Sequence, residues 1–422
     1  MRASRRQFLN QTLGTAALAG LHPGSPSRGS EPPHQGPSMA ELERIAAEPV
    51  LRVNQLTTPI LIRSLDLLRN GPHFVVRVRS RDGAEGFSIP NAMHLVHTYP
   101  IFLNRIAPFF IGKDARQLEP LLWELYRHQD NYKYQGLALW VGVAAAEIAI
   151  LDLLGQQTGR SLGDLLGGVL RREIPVYTAS GDRGNTPEEE IAHLQQLVAE
   201  TGARALKFRV GGRMSKNADS LPGRTERLIP LVRETFGPEM TIYADSNSSY
   251  DPPAAIRVGR LMEEYDYAFF EEPCRFDHFE ETKEVADALK IPVAGGEQEF
   301  SEYGFRWMIA HRGVDIVQPD LHYHGGFIRS LRVARMAAAA GMLCTPHMSG
   351  SGLGYLDAAH FVSCIPNPVP FTEFKGNAEL PVSSPTSSLR CESGIVRVPS
   401  GAGYGITIDP AFLREAKPVT TL

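Results

Sequence analysis

Asp245, Glu271 and Glu297 stand at even intervals of 26 residues along the chain (271 less 245, and 297 less 271). Each follows a short apolar run: Met240 to Ala244, Tyr267 to Phe270 and Ile291 to Ala294. A helix-like stretch separates each run from the next. This period puts one carboxylate at or just beyond the C-terminal end of three successive parallel strands. In a barrel of alternating strands and helices, that rim is where reactive groups gather. Three carboxylates converging there repel one another unless a hard cation sits between them, and oxygen-only ligation with open positions suits Mg²⁺. Any one of them alone reads as a solvated acid at a loop start; three in phase do not.

The rest of the chain is consistent with that architecture. From Ile174 onward, strands are expected to begin near Pro175, Ala203, Met240, Tyr267, Ile291, Val314, Met342 and Val369. Helices are expected over Pro187–Glu200, Pro222–Phe236, Pro252–Glu264, His278–Leu289, Glu302–His311 and Phe327–Ala340. Pro187, Pro222 and Pro252 fall at or near a first turn, where a missing N–H does no harm. Eight strands with intervening helices predict an α/β fold of the (β/α)₈ TIM-barrel type. A doubly wound sheet is disfavoured because no GxGxxG follows the first strand. Ahead of the barrel, His73 to Arg79 alternates like a strand, Gly83 and Gly86 mark a turn, and Pro120–Arg127 and Leu137–Gln156 carry helical periodicity. Beyond Leu380, Gly394 to Pro399 and Gly401 to Gly405 read as short strands and turns that fold back on the N-terminal part.

The first residues differ from the rest. Ser4 to Leu9 carry the pair Arg5 and Arg6, followed by a mild apolar run from Leu13 to Leu21 and a Pro/Gly/Ser-rich stretch to Ser38. This is the pattern of a twin-arginine export signal with a linker, and it predicts a periplasmic protein; Ala17 to Ala19 offers a cleavage site. The division expected is therefore 1–38 signal and linker, 39–172 an α+β capping domain, 173–384 the barrel, and 385–422 a tail returning to the cap. No later run approaches the ~20 apolar residues of a membrane span. The net charge of −4 gives no basic footprint for nucleic acid. Cys274, Cys344, Cys364 and Cys391 lack the spacing of a zinc site.

Further groups fall on the same rim. Lys207 and Arg209 alternate on the second strand, so they face the same way while Phe208 faces the helices. Two cations pointing into a barrel mouth belong opposite anions, and burial beside a like charge is expected to lower the lysine pKa toward a usable base. Asp320 ends the sixth strand and His347 the seventh. Neighbouring strands lie about 4.8 Å apart, so the two can share a hydrogen bond that fixes the imidazole tautomer. Glu373 ends the eighth strand and could hydrogen-bond a substrate carboxylate if protonated.

With these residues in view the chain resembles the enolase superfamily, in its mandelate racemase/muconate lactonizing enzyme branch. The resemblance runs from about Arg52 to Asp409. It rests on Glu147 to Gly155, Leu165 to Gly168, Asp245 to Asn247, Glu271 to Pro273, Gly296-Glu297, Gln318 to Asp320, Gly325-Gly326 and Pro346-His347. It implies that Asp245, Glu271 and Glu297 ligate Mg²⁺, that Asp320 and His347 form a general base or acid, and that Asn247 and Glu373 touch substrate, with Glu272 behind the ligands. It also implies a cap whose loops near Gln55 to Pro59 and Ala92 to Leu95 close over the site. The family commonly has Lys-x-Lys on the second strand, the second lysine being a base. Here Arg209 takes that place, and a guanidinium is not deprotonated near neutral pH. A one-base reaction survives: Mg²⁺-dependent dehydration of a sugar acid (an aldonate or aldarate) to a 2-keto-3-deoxy acid, through alpha-proton abstraction and an enediolate. The alternatives are a racemase or epimerase of a 2-hydroxy acid or amino acid derivative, with Lys207 as second base, and a non-catalytic sugar-acid binder. The partners expected are a small carboxylate and further copies of the same chain.

Replacing both Arg5 and Arg6 by Lys should leave the uncleaved precursor in the cytoplasm on fractionation. A double variant still processed and exported would remove the twin-arginine reading.

Overall fold

The structure, a computed structural model, describes residues 36–349, 353–377 and 380–420. The twin-arginine segment lies outside them. The chain begins with α1 (Met39–Ala47), whose Ser38 and Glu41 form a reciprocal capping box. An antiparallel meander follows: β1 (Ile62–Asn70), β2 (His73–Ser80) and β3 (Glu85–Ser88). Gly86 lies inside β3 rather than in the expected turn. A Cβ there would sit 2.3 Å from the Leu153 amide nitrogen, so glycine is what lets this strand press against a helix backbone.

The longer helices of the cap are α2 (Ala92–Ile101), α3 (Leu118–Arg127) and α4 (Leu137–Thr158). The Ala92 to Leu95 stretch, expected as a loop, is the first turn of α2, capped by the Asn91 side chain. Contrary to the sequence expectation, α4 is long and apolar enough to cross a membrane, but 89% of its apolar window is buried in the fold. Its hydrophobicity on all sides reflects burial between cap and barrel.

All eight expected barrel strands are present: β4 (Glu173–Ala179), β5 (Ala205–Arg209), β6 (Thr241–Asp245), β7 (Phe269–Glu271), β8 (Val293–Gly295), β9 (Ile316–Val317), β10 (Leu343–Cys344) and β11 (Thr372–Phe374). β4 to β10 pair in parallel in chain order, β11 pairs with β4, and a Cys344–Pro368 bridge closes the ring. The barrel interior is filled by Tyr177, Ala205, Tyr243, Phe269, Ala294, Ile316, Leu343 and Val369, one from each strand or its approach.

Six helices lie close to where the pattern put them: α5 (Pro187–Thr201), α6 (Arg224–Phe236), α7 (Pro252–Glu264), α8 (Phe279–Ala288), α9 (Glu302–Ala310) and α10 (Phe327–Ala339). Pro222 precedes α6 instead of entering it, because Gly223 takes a left-handed cap conformation there. A further helix, α11 (Gly354–Cys364), fills the seventh connection, where no clear period is legible. The tail first lays Ile395–Arg397 antiparallel against Glu173–Pro175, at the end of β4 away from the reactive rim. It then pairs Lys417–Pro418 with β1.

Cap and barrel are joined through a buried carboxylate. Glu147 of α4 accepts the Phe327 and Ile328 amides, at 2.6 and 2.9 Å, at the N-terminus of α10. Burial pushes its carboxyl up to about 8 against the pull of those two N–H groups. Gly326, at φ +112°, leaves the space: a Cβ there would lie 2.0 Å from the Glu147 carboxylate. Gly326→Ala should therefore cost at least about 2 kcal/mol, from backbone strain plus a disrupted buried acceptor. Urea unfolding reads this directly, and a loss under about 0.5 kcal/mol would mean the contact is not structural.

Candidate active site

The strand register explains the spacing of the acids. Arg209 pairs with Asp245, and Asp245 with Glu271, on adjacent parallel strands. The three are thus level at the strand ends. Glu297 lies beyond that level: Glu271 pairs with Ala294, and the chain turns at Gly296, φ +113°, before Glu297 enters the site. One oxygen from each of Asp245, Glu271 and Glu297 can be chosen so that all lie within 4.8 Å of one another, and all three residues are buried. Glu297 Oε2 is buried without a hydrogen-bond partner. An all-oxygen donor set with an unsatisfied buried oxygen fits a hard divalent cation.

Buried carboxylates need compensation, and β5 provides it. Lys207 Nζ donates to both oxygens of Glu271, at 2.7 and 2.8 Å, and lies 2.9 Å from Glu373. Arg209 forms an ion pair with Asp245. Below them Tyr177 offers its ring to Lys207, 5.3 Å from the nitrogen. The expected lowering of the lysine pKa is not found. Burial does oppose its charge, but Glu271 and Glu373 outweigh it and hold Lys207 as an ammonium above its ordinary value. The protonated Glu373 envisaged from the sequence is corrected in the same way. Burial favours its neutral form, yet Lys207 and Lys375 hold it well below the usual carboxylate range. It accepts the Met348 amide at 2.9 Å and serves as a counter-ion.

Asp320 and His347 meet as the strand ends required. They form a parallel bridge, and His347 Nδ1 lies 2.7 Å from Asp320 Oδ2. The other oxygen of Asp320 accepts the His322 and Tyr323 amides at 2.8 and 2.9 Å, which fixes the carboxylate. Nε2 then faces the acids, 3.3 Å from Glu297. Asn247 bridges them from another side, donating to Asp245 at 3.1 Å and to Glu272 at 3.3 Å. Burial, with crowding by Glu297 and Glu271 added to it, raises Glu272 well above the usual carboxylate range.

Four groups at the site have no role assigned from the sequence, Gln318 being read only as part of a motif. Gln318 donates to Glu271 at 2.9 Å. Lys375 Nζ lies 3.2 Å from His347 Nε2 and 3.3 Å from Glu373; strand alternation two residues after Glu373 was a usable signal. Arg183 and Arg213 reach Asn247 Oδ1, at 2.8 and 3.3 Å, from loops without any periodic signal. The cap meets this rim where His94 Nε2 lies 2.8 Å from the Tyr323 hydroxyl.

A capped eight-stranded barrel with clustered acids and an Asp–His pair defines the class. Residues 49–167 match the mandelate racemase/muconate lactonizing enzyme N-terminal domain, and residues 189–412 the enolase C-terminal domain-like family. The chain belongs to the enolase superfamily, in its mandelate racemase/muconate lactonizing enzyme branch. It is similar to D-galactarolactone cycloisomerase of Agrobacterium fabrum, at 30% identity over 86% of this chain and 95% of the relative. It is similar to arabinonate dehydratase of Saccharolobus solfataricus, at 25% identity over 81% and 89%. Among solved structures, a mandelate racemase/muconate lactonizing protein from Paracoccus denitrificans complexed with magnesium superposes with a TM-score of 0.78, at 27% identity over 86% and 99% of the two chains.

Glu271→Gln removes one charged oxygen from the cluster. It should weaken Mg²⁺ binding by at least about tenfold in calorimetry while thermal unfolding of the metal-free protein stays close to wild type. An unchanged affinity would take Glu271 out of the ligand set.

Proposed function

We propose that this protein is a Mg²⁺-dependent dehydratase of sugar acids, with Asp245, Glu271 and Glu297 as the metal ligands and His347 as the base. The observation that carries the reading is the Asp320–His347 pair, with Nδ1 engaged at 2.7 Å and Nε2 3.3 Å from Glu297, one of the three clustered acids. When bound, the cation would supply electrostatic stabilisation for negative charge developing on a substrate carboxylate. The magnesium complex of the Paracoccus denitrificans structure and the dehydratase name of the Saccharolobus solfataricus relative support this reading.

The chain's own residues carry the proton. Asp320 holds the His347 tautomer with the proton on Nδ1 and the lone pair on Nε2; Lys375 Nζ, 3.2 Å from that nitrogen, must give way before Nε2 takes the proton alpha to the carboxylate. The β carbon–oxygen bond then breaks, and the departing hydroxyl leaves as water with a proton returned from the site. The resulting enol tautomerises to the 2-keto-3-deoxy acid. Arg209 cannot take a proton near neutral pH and is engaged with Asp245. Lys207 binds Glu271 and Glu373 as an ammonium and orients both.

A racemase or epimerase is the competing reading; it would need Lys207, on the strand opposite the dyad, to give up the proton that Glu271 and Glu373 hold on it. His347→Asn separates the two. Turnover should fall by at least about 10²-fold, the lower end of what a general base contributes, and exchange of the alpha proton in D₂O should stop. Rapid deuterium incorporation without dehydration would make Lys207 a competent base and favour epimerisation.

A further inference from the structure

Arg183 and Arg213 are two cations at the mouth that the proposed reaction does not use and that, unlike Lys375, have no carboxylate partner among the described residues. They arrive from two successive strand-to-helix loops and converge on one neutral acceptor, the Asn247 side-chain oxygen. The Asn247 nitrogen, on the other side of that amide, touches Asp245 and Glu272. The two guanidinium groups therefore stand one side chain away from the metal cluster. Neither is ion-paired among the described residues, and Arg183 Nε is buried without a hydrogen-bond partner. Burial, and then Arg209, Arg213 and Arg224, bring Arg183 down to about 9, against a smaller opposing pull from Glu297.

The surroundings hold this arrangement in place. Arg224 is buried and donates to the backbone carbonyls of Asn185 and Arg209, each at 2.7 Å, fixing the loop that presents Arg183 to the end of β5. The Arg213 loop is tied to the Asn247 loop by Met214 N–H to Asn247 O at 3.0 Å and Asn217 N–H to Ser249 O at 2.8 Å. One amide oxygen is a poor match for two guanidinium forks. A carboxylate offers two oxygens and a full charge in the planar geometry that arginine recognises.

We infer that Arg183 and Arg213 bind a second, distal carboxylate, so that the substrate is a dicarboxylic sugar acid (an aldarate). This rests on the proposed function, in which the first carboxylate sits among Asp245, Glu271 and Glu297. A terminal phosphate presents the same anionic oxygens and is the one other source of this chemistry.

The test is calorimetry on the Mg²⁺-loaded, full-length protein. Ligands are compared in matched sets that differ only at the far terminus: galactonate with galactarate, and gluconate with glucarate and 6-phosphogluconate. In at least one set the diacid should bind at least about tenfold tighter than the monoacid, the order expected of charge-assisted hydrogen bonds. That preference should vanish in the Arg183→Gln/Arg213→Gln double variant, shown to be folded by thermal unfolding, and persist in part in the single Arg→Lys variants, which keep the charge. Equal binding, absence of measurable binding in both sets, or a preference that survives the double variant would overturn the inference. Tighter binding of 6-phosphogluconate than glucarate would overturn it in favour of a phosphorylated acid. Product formation is followed separately. A diacid that binds through both arginines but yields no 2-keto-3-deoxy acid would refute dehydration and leave the binding site standing.

Discussion

Compensation of buried negative charge at the barrel mouth governs this structure. Asp245 and Glu271 have no solvent exposure, and Glu297 and Glu373 have almost none. Carboxylates so placed lose their hydration, and nothing in an apolar barrel replaces it. Lys207 and Arg209, alternating on β5, put two permanent cations among them. That solution has a chemical consequence. A lysine bound to two carboxylates keeps its proton, so the group best placed to be a second base acts instead as an organiser. The proton-accepting role then falls to the imidazole held by Asp320.

The same logic joins the two domains. Glu147 is buried within α4 and finds its partners in the first turn of α10, so a cap helix and a barrel helix share one carboxylate. Asp152, further along α4, accepts the Phe87 amide of β3 and the Tyr404 amide of the tail, each at 2.9 Å. Burial pushes it up to about 7. Gly326 and Gly403 supply the close approaches, since a Cβ on either would lie 2.0 Å from these carboxylates. The acids inside an otherwise apolar helix are thus connectors, and they tie cap, barrel and tail into one body. The cap in turn brings His94 to Tyr323 at the rim, where Tyr323 also lies beside His347.

Charge also grades the site from floor to mouth. At the floor, Tyr177, Tyr243 and Phe269 form an aromatic layer, with Tyr243 and Phe269 stacked at 3.9 Å. Above it come the acids with Lys207 and Arg209. Above those, Arg183 and Arg213 share one neutral oxygen. The cations near the floor are matched by anions of the protein. Arg183 and Arg213 have no such anion among the described residues, and this difference separates groups that hold the site together from groups free to meet a ligand.

The eight strands, the three in-phase acids and the Asp320–His347 pair were legible in the chain because each follows from local periodicity. Strand ends recur at fixed intervals, side chains alternate, and neighbouring strand ends are close in space. The helix α11 was not legible, since residues buried all round give no amphipathic period. Nor was the direction in which Lys207 and Glu373 titrate. Sequence places a lysine beside an arginine and suggests a depressed pKa, but the closer contacts, from Glu271 and Glu373, come from strands distant in the chain. Arg183 and Arg213 stand on irregular loops, and only the fold brings them to Asn247. The sequence by itself determined which carboxylates share a rim, because register follows from repeat length. The tertiary structure alone decided which charges neutralise one another, because electrostatic pairing depends on distances between side chains that no local pattern encodes.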